Sequence, residues 1–213
     1  SILSTPPQVG KSVTITETLP SWYLGRYPEN RVIELSYGAD FAKRFGRRNR
    51  EKINEFGFIF GIGLKSDTKS VEEFELSNGL GGMVSTGVGG SVTGRKCNLL
   101  IIDDPIKNRE DADSERYRNK VWEECVNSFK TRLSAGAKVI VIQTRWHEDD
   151  LYGRLKSDPY AKVYNFPMEA EEDDPLGRKV GEPLCPEIGK DEAWLSAFKE
   201  ALIKGDEESE ESK

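Results

Sequence analysis

The residues best suited to chemistry lie near the start of the chain, in the segment Thr5-Pro6-Pro7-Gln8-Val9-Gly10-Lys11-Ser12. It matches a phosphate-binding loop, Gly followed by four residues and then Gly-Lys-Ser/Thr, except that Thr5 takes the first glycine position. In such a loop backbone N–H groups surround the phosphates, and the start of a helix adds partial positive charge. The pattern predicts that Lys11 reaches the β- and γ-phosphates and that Ser12 holds Mg²⁺ through its hydroxyl. Gly-Lys-Ser also occurs by chance, so further observations are needed.

A second candidate is the run Leu99-Leu100-Ile101-Ile102-Asp103-Asp104-Pro105, in which four aliphatic residues precede two carboxylates. An unbroken apolar run is typical of a strand buried on both faces in a parallel sheet. Open α/β sheets bind ligands at the carboxyl ends of their strands. Asp103 is therefore predicted to orient Mg²⁺ or its water, and Asp104 to polarise the attacking water. The alternative is a structural Asp-Asp-Pro turn, which the Gly-Lys-Ser segment makes less favourable.

A third polar group lies at the end of the segment Lys138-Val139-Ile140-Val141-Ile142-Gln143-Thr144, which predicts another buried strand. Thr144 and Arg145 are the candidates at the end of this strand, and either could contact the γ-phosphate or the lytic water. His147 is the single histidine. Because no second histidine or cysteine cluster accompanies it, we expect a structural or indirect role rather than metal binding.

Composition is compatible with this chemistry without requiring it. The chain has 213 residues, of which 36% are hydrophobic and 32% charged, enough for one α/β domain and an appendage. Three cysteines favour a reducing compartment over a disulfide framework. No apolar run approaches the roughly 18–20 residues of a membrane span, and no signal peptide is visible.

The net charge of −6 conceals an uneven distribution. Residues 206–213 form an acidic tail that we expect to be disordered. Basic residues crowd the segment from Lys43 to Lys52, which is either a solvated helix face or a contact surface for DNA or a neighbouring subunit.

Local patterns predict how these groups are positioned. We expect a strand over residues 1–5, a single helix from Lys11 to Leu24, a strand over Arg31–Ser36 and a helix from about Ala39. A long amphipathic helix is predicted between Tyr117 and Leu133. The separation of Lys11 from Asp103 far exceeds the roughly 30 residues of a simple βαβ unit. At least one extra strand must intervene, as in P-loop proteins with a strand inserted between the lysine strand and the acid strand. We expect the two sites to meet across adjacent strand ends.

Five segments, in this order, resemble the ATPase motor domain of large terminase subunits of tailed bacteriophages. They are Pro6-Pro7-Gln8-Val9-Gly10-Lys11-Ser12, Ser36-Tyr37-Gly38-Ala39-Asp40, Gly89-Gly90-Ser91-Val92-Thr93-Gly94-Arg95, Ile101-Ile102-Asp103-Asp104-Pro105-Ile106-Lys107-Asn108 and Thr144-Arg145-Trp146-His147-Glu148-Asp149-Asp150-Leu151. The resemblance covers nearly the whole chain. It implies an α/β fold, a P-loop NTPase of the strand-inserted (ASCE, RecA-like) type with a mainly parallel sheet flanked by helices.

The resemblance also implies an activity, ATP hydrolysis that drives double-stranded DNA into a procapsid, with ATP and Mg²⁺ as cofactors. Lys11 and Ser12 would bind the phosphates and Mg²⁺. Asp103 would be the acid on the metal side, Asp104 the catalytic carboxylate, and Thr144 the residue that couples hydrolysis to movement.

Partners and domain organisation follow from the same resemblance. Arg95 would reach the nucleotide of a neighbouring subunit in a homo-oligomeric ring on the portal protein, although a monomer is expected in isolation. Double-stranded DNA and the small terminase subunit are the other implied partners, and the place is the host cytoplasm at the procapsid portal vertex. We assign residues 1–167 to the motor core, without the usual adenine-binding segment, and residues 168–213 to a linker subdomain piece and the acidic tail. No nuclease domain or nuclease activity is expected.

Two other functions stay open. A helicase-like DNA translocase shares the same three sites but should have paired RecA-like halves. A nucleotide-dependent, non-hydrolysing module that assembles with portal or DNA is slightly favoured by Thr5 in place of glycine.

Overall fold

One seven-stranded sheet forms the centre of the molecule, seen in a computed structural model that describes residues 1–66, 70–90 and 96–211. In chain order the strands are β1 (Ile2–Ser4), β2 (Arg31–Ser36), β3 (Glu73–Glu75), β4 (Gly82–Gly87), β5 (Cys97–Asp103), β6 (Leu133–Gln143) and β7 (Val163–Asn165). Across the sheet they lie in the order β3-β4-β2-β5-β6-β1-β7. Only the β3–β4 pair is antiparallel within the described residues.

Helices cover both faces of this sheet. They are α1 (Lys11–Ile15), α2 (Leu19–Arg26), α3 (Ala39–Phe56), α4 (Arg109–Asp113), α5 (Glu115–Arg132), α6 (Leu151–Leu155) and α7 (Glu192–Glu211). Within the described part of the chain, none of them has the length and hydrophobicity needed to cross a membrane.

The apolar run of β5 is buried on both faces, as its sequence predicted. Leu99 and Ile101 pack toward α2 and α3, in a cluster with Leu24 and Ile53. Leu100 and Ile102 point to the other face, in a cluster with Val121 and Cys125 of α5. Successive side chains of a strand alternate between faces, so a strand covered on both sides must be apolar throughout.

The order of strands confirms the strand-inserted P-loop topology. β6 pairs in parallel with both β5 and β1, and so lies between the lysine strand and the acid strand. The expectation that Lys11 and the two acids meet across adjacent strand ends was therefore wrong. The register still brings the ends level, because Ser4 pairs with Gln143 and Asp103 pairs with Ile142.

The single helix expected from Lys11 to Leu24 is in fact two helices, α1 and α2. Pro20 has no N–H to donate to the carbonyl of Thr16 four residues earlier, so a continuous helix would leave that carbonyl unpaired. Asn49 of α3 takes the place of the missing donor, with its Nδ2 2.8 Å from the Thr16 oxygen. A contact with a distant part of the chain thus fixes the break.

The C-terminal residues also differ from expectation. α7 continues to Glu211 and includes acidic residues that composition had assigned to a disordered tail. Glu, Ala and Leu are strong helix formers, so local propensity favours continuation of the helix that begins at Glu192. The assignment of residues 168–213 to a linker subdomain stays a prediction.

Gly46 provides a test of how closely α3 packs on the sheet. A Cβ at this position would lie 2.0 Å from the carbonyl oxygen of Val71 and 3.2 Å from Oγ of Ser85. Gly46→Ala is therefore expected to lower the free energy of unfolding by about 1–3 kcal/mol, measured by urea denaturation. Gly63→Ala is the control, because its Cβ would meet only Oγ of Ser77 at 3.9 Å. Equal stabilities for the two variants would contradict the packing described here.

Candidate active site

The connection between β1 and α1 forms a tight loop over residues 5–10. Gln8 and Gly10 adopt positive φ angles of 60° and 82°. Gly10 tolerates this conformation at no steric cost, whereas Gln8 is strained in it. Turns with left-handed residues direct backbone N–H groups into a concave surface that suits anions.

Lys11 connects the ends of three strands. Its Nζ lies 3.0 Å from Oδ2 of Asp104 and donates a hydrogen bond of 2.7 Å to Oγ1 of Thr144. The backbone N–H of Thr144 in turn donates to Oδ1 of Asp104 at 2.6 Å. The lysine of β1–α1, the carboxylate after β5 and the threonine after β6 thus form one contacting group.

Asp103 forms the second half of the site, at the end of β5. It is fully buried and accepts hydrogen bonds from Oγ of Ser12 at 3.1 Å and Oγ1 of Thr16 at 2.6 Å. Burial raises the pKa of this carboxyl to about 6, and the neighbouring negative charge of Asp104 also raises it, against the lowering effect of the two hydroxyls.

The donor set of Ser12 and Asp103 fits Mg²⁺. Both offer oxygen, and Mg²⁺ in nucleotide sites is held by one or two carboxylates, with substrate phosphates and water completing the shell. No cluster of three His, Cys, Asp or Glu side chains occurs in the described residues. A cation here would consequently take most of its ligands from phosphate and water.

Asp104 occupies a strained backbone position. Its φ is 43°, and it precedes Pro105, which restricts the residue before it to extended conformations. Its N–H donates to the carbonyl of Ile142 at 2.9 Å, which holds the turn at the end of β5. Strain of this kind persists where the surroundings determine it, often at functional sites.

A family of known proteins matches almost the entire chain. A family model described as terminase large subunit, T4likevirus-type, N-terminal, matches residues 2–209. The chain belongs to this terminase family. A search of curated proteins gave no match.

Solved structures of large terminases are similar to this terminase chain at low sequence identity. The large terminase of a thermophilic bacteriophage is 12% identical with a TM-score of 0.49, and the match covers 84% of this chain and 42% of that one. The large terminase of bacteriophage HK97 is 14% identical with a TM-score of 0.49, and the match covers 83% of this chain and 37% of that one. A structure of the thermophilic phage's large terminase in complex with ATP-gamma-S is 12% identical, with a TM-score of 0.48. The match covers 84% of this chain and 41% of that one. This chain thus matches about two fifths of the length of these proteins.

The sequence offers both Thr144 and Arg145 as candidates at the end of β6, and their contacts in the structure differ. Thr144 contacts Lys11, whereas Arg145 is held within its own loop, 2.8 Å from Oδ2 of Asp150 and with its guanidinium 4.4 Å from the ring centre of Tyr152. His147 accepts the N–H of Asp149 on Nδ1 at 3.0 Å, which is a structural contact in the same loop.

Arg95, the candidate trans-acting residue of this terminase, lies outside the described residues, and its role stays a prediction. The basic segment lies on α3, where Lys43 pairs with Glu72 at 2.8 Å and Arg48 lies 3.5 Å from Glu51. Part of its charge is thus balanced locally, and its contact with DNA or a neighbour also stays a prediction.

Two buried residues near the site were not predicted. Thr16 lies one helical turn after Ser12, so its contact with Asp103 could have been found from i, i+4 spacing. Glu34 lies on β2 among apolar residues, is fully buried, and accepts a hydrogen bond from Ser36. Burial, together with the charge of Asp103, raises the pKa of Glu34 well above its usual value. A single Glu within an apolar strand is the sequence feature that could have identified Glu34.

The buried position of Asp103 predicts a pH-dependent stability. Its pKa of about 6 in the folded protein exceeds the value near 4 of an unfolded chain. The folded state therefore binds the proton more tightly, and stability falls as the pH rises from about 4 to 6 and stays lower above that range. Asp103→Asn is expected to increase the free energy of unfolding by at most about 3 kcal/mol at pH 8, and by less at pH 4. Urea denaturation in a metal chelator measures this, and an equal change at both pH values would contradict it.

Proposed function

We propose that this chain is the ATP-hydrolysing motor part of a large terminase, which binds ATP with Mg²⁺ and uses its hydrolysis to move double-stranded viral DNA into a procapsid. The observation that carries the proposal is the meeting of five side chains at one edge of the sheet, namely Lys11, Ser12, Asp103, Asp104 and Thr144. Membership of the large terminase family supports the same conclusion.

Each side chain can be given a task that its contacts allow. Lys11 and the loop N–H groups would bind phosphate oxygens, for which an ammonium is a strong charged donor. Ser12 and Asp103 would hold Mg²⁺, which would neutralise phosphate charge when bound. When the ammonium of Lys11 turns to a phosphate, it leaves Oδ2 of Asp104. That oxygen could then accept a proton from water, while Oδ1 keeps its hydrogen bond from the N–H of Thr144.

The contacts of Thr144 support a coupling role. Its side chain contacts Lys11 and its backbone contacts Asp104, so a change at either group reaches the end of β6. We propose that it couples hydrolysis to movement of the motor.

The proposed partners are double-stranded DNA, the portal protein, the small terminase subunit and further copies of this chain in a ring on the portal. Arg95 would complete the site of a neighbouring copy in that ring. The proposed place of action is the host cytoplasm, at the portal vertex of the procapsid.

A second candidate is a nucleotide-dependent module that binds portal or DNA without hydrolysis. Thr5 in place of the first glycine favours it, because the phosphate loop then departs from the usual pattern.

Release of phosphate from ATP distinguishes the two functions. We expect wild-type chain at high concentration to release phosphate only with Mg²⁺ present, and a chelator to abolish the release. Binding of a fluorescent ATP analogue, measured in parallel, separates binding from turnover. Mg²⁺-dependent binding without phosphate release, with or without double-stranded DNA, would favour the non-hydrolysing module. Strand separation of a duplex by the chain would favour a helicase-like translocase.

A further inference from the structure

A buried lysine from the C-terminal part of the chain lies against the phosphate loop. Nζ of Lys190 donates a hydrogen bond of 2.9 Å to the carbonyl oxygen of Pro7. The residue is only 9% exposed, although it precedes α7 in a segment remote from the loop in sequence. A turn closed by the bridge between Cys185 and Lys190 fixes its position.

Among the described residues, no anionic partner faces the charge of Lys190. Within the part of the chain that the structure describes, no Asp or Glu oxygen lies within 4.0 Å of Nζ. The ammonium also lies 5.0 Å from the centre of the Trp194 ring. An aromatic face and one carbonyl stabilise an ammonium partly, but a buried charge normally has a counter-ion. The position therefore suits an anion that binds beside Pro7.

The loop itself lacks donors at this point. Pro6 and Pro7 have no backbone N–H, so the half of the loop that precedes Gln8 can offer phosphate fewer hydrogen bonds than an ordinary phosphate loop does. The ammonium of Lys190 contacts this half of the loop, at the carbonyl oxygen of Pro7.

Lys11 directly follows the loop, and Lys190 contacts Pro7 within it. Pro7 and Thr144 both line a cavity of about 290 Å³ at the ends of β1, β6 and β7. Pro7 accepts the hydrogen bond from Lys190 and Thr144 accepts the one from Lys11, so each lysine contacts one residue of the cavity wall.

We infer that Lys190 is a phosphate-binding residue of this site, which supplies from the C-terminal segment the positive donor that Pro6 and Pro7 cannot provide. This inference rests on the proposed function, since the anion would be a phosphate group of the bound nucleotide. It also makes the segment around α7 part of the nucleotide site.

Nucleotide binding by two variants tests the inference. Lys190→Gln keeps a donor for the Pro7 carbonyl but removes the charge, and Lys190→Arg keeps the charge. With a fluorescent, non-hydrolysable ATP analogue, we expect Lys190→Gln to raise the dissociation constant about 10-fold to 100-fold, and Lys190→Arg to stay within a few-fold of wild type. Lys199→Met is the matched control, because Lys199 belongs to the same segment and pairs with Glu169.

Thermal melts without nucleotide identify a purely structural role. If both substitutions lower the melting temperature while the dissociation constant is unchanged, Lys190 only fastens the C-terminal segment and the inference is overturned. If the wild type binds nucleotide and Lys190→Gln binds it equally well, this inference is overturned and the proposed function is not. A wild-type chain that binds no nucleotide overturns the proposed function as well.

Discussion

Lys11→Met is expected to reduce kcat/KM for ATP by about 10³–10⁵-fold, the largest effect of any single substitution in this chain. Loss of one charged donor weakens ground-state binding about 10-fold to 100-fold. Loss of the same donor where charge develops during the reaction costs about 10²–10³-fold in turnover. Steady-state phosphate release with Mg²⁺, together with binding of an ATP analogue, measures the two components.

The substitution of Lys11 needs a control for folding, because it leaves Asp104 without its ammonium partner at 3.0 Å. Circular dichroism and a thermal melt should show a folded variant, since the Asp104 side chain is 23% exposed and can be solvated. Lys156→Met removes an exposed lysine after α6 and should hydrolyse ATP as wild type does. If Lys11→Met retained more than a tenth of the wild-type kcat/KM, the assignment of this lysine would be wrong.

Asp104→Asn is expected to reduce turnover by about 10²–10⁴-fold while the dissociation constant for ATP stays within a few-fold. The amide oxygen can still accept the N–H of Thr144, so the geometry at the end of β5 should be retained. What is lost is the negative charge that would accept a proton from water. Turnover and analogue binding, measured on the same preparation, separate the two effects.

Asp113→Asn provides the comparison for this carboxylate. Asp113 lies in α4, pairs with Arg109 at 3.3 Å and has a half-exposed side chain, so its substitution should not change turnover. Turnover that survived Asp104→Asn unchanged would remove Asp104 from its proposed role, whatever its effect on binding.

The groups of the candidate site could be named from the sequence because each is defined locally. An apolar run of β5 ends in two acids, and a loop pattern ends in Lys11 and Ser12, and these patterns need no knowledge of the rest of the chain. The structure confirmed that they meet. Their positions in the sheet were less predictable, because the insertion of β6 between β1 and β5 depends on pairing between distant segments.

The features that were missed depend on non-local contacts. The break between α1 and α2 is stabilised by Asn49, which is 33 residues from Thr16 in sequence. Lys190 is 183 residues from Pro7 in sequence, and no local pattern connects them. Thr16 and Glu34, in contrast, have local signals. The spacing from Ser12 indicates Thr16, and a charged residue within an apolar strand indicates Glu34.

A crystal structure of the chain with Mg²⁺ and a non-hydrolysable ATP analogue would show whether this edge of the sheet binds nucleotide. We expect Nζ of Lys11 and the loop N–H groups to contact the phosphates, with the cation beside Ser12 and Asp103. Phosphates bound elsewhere, or beyond contact with either Lys11 or Asp103, would contradict the assignment of this edge of the sheet as a nucleotide site.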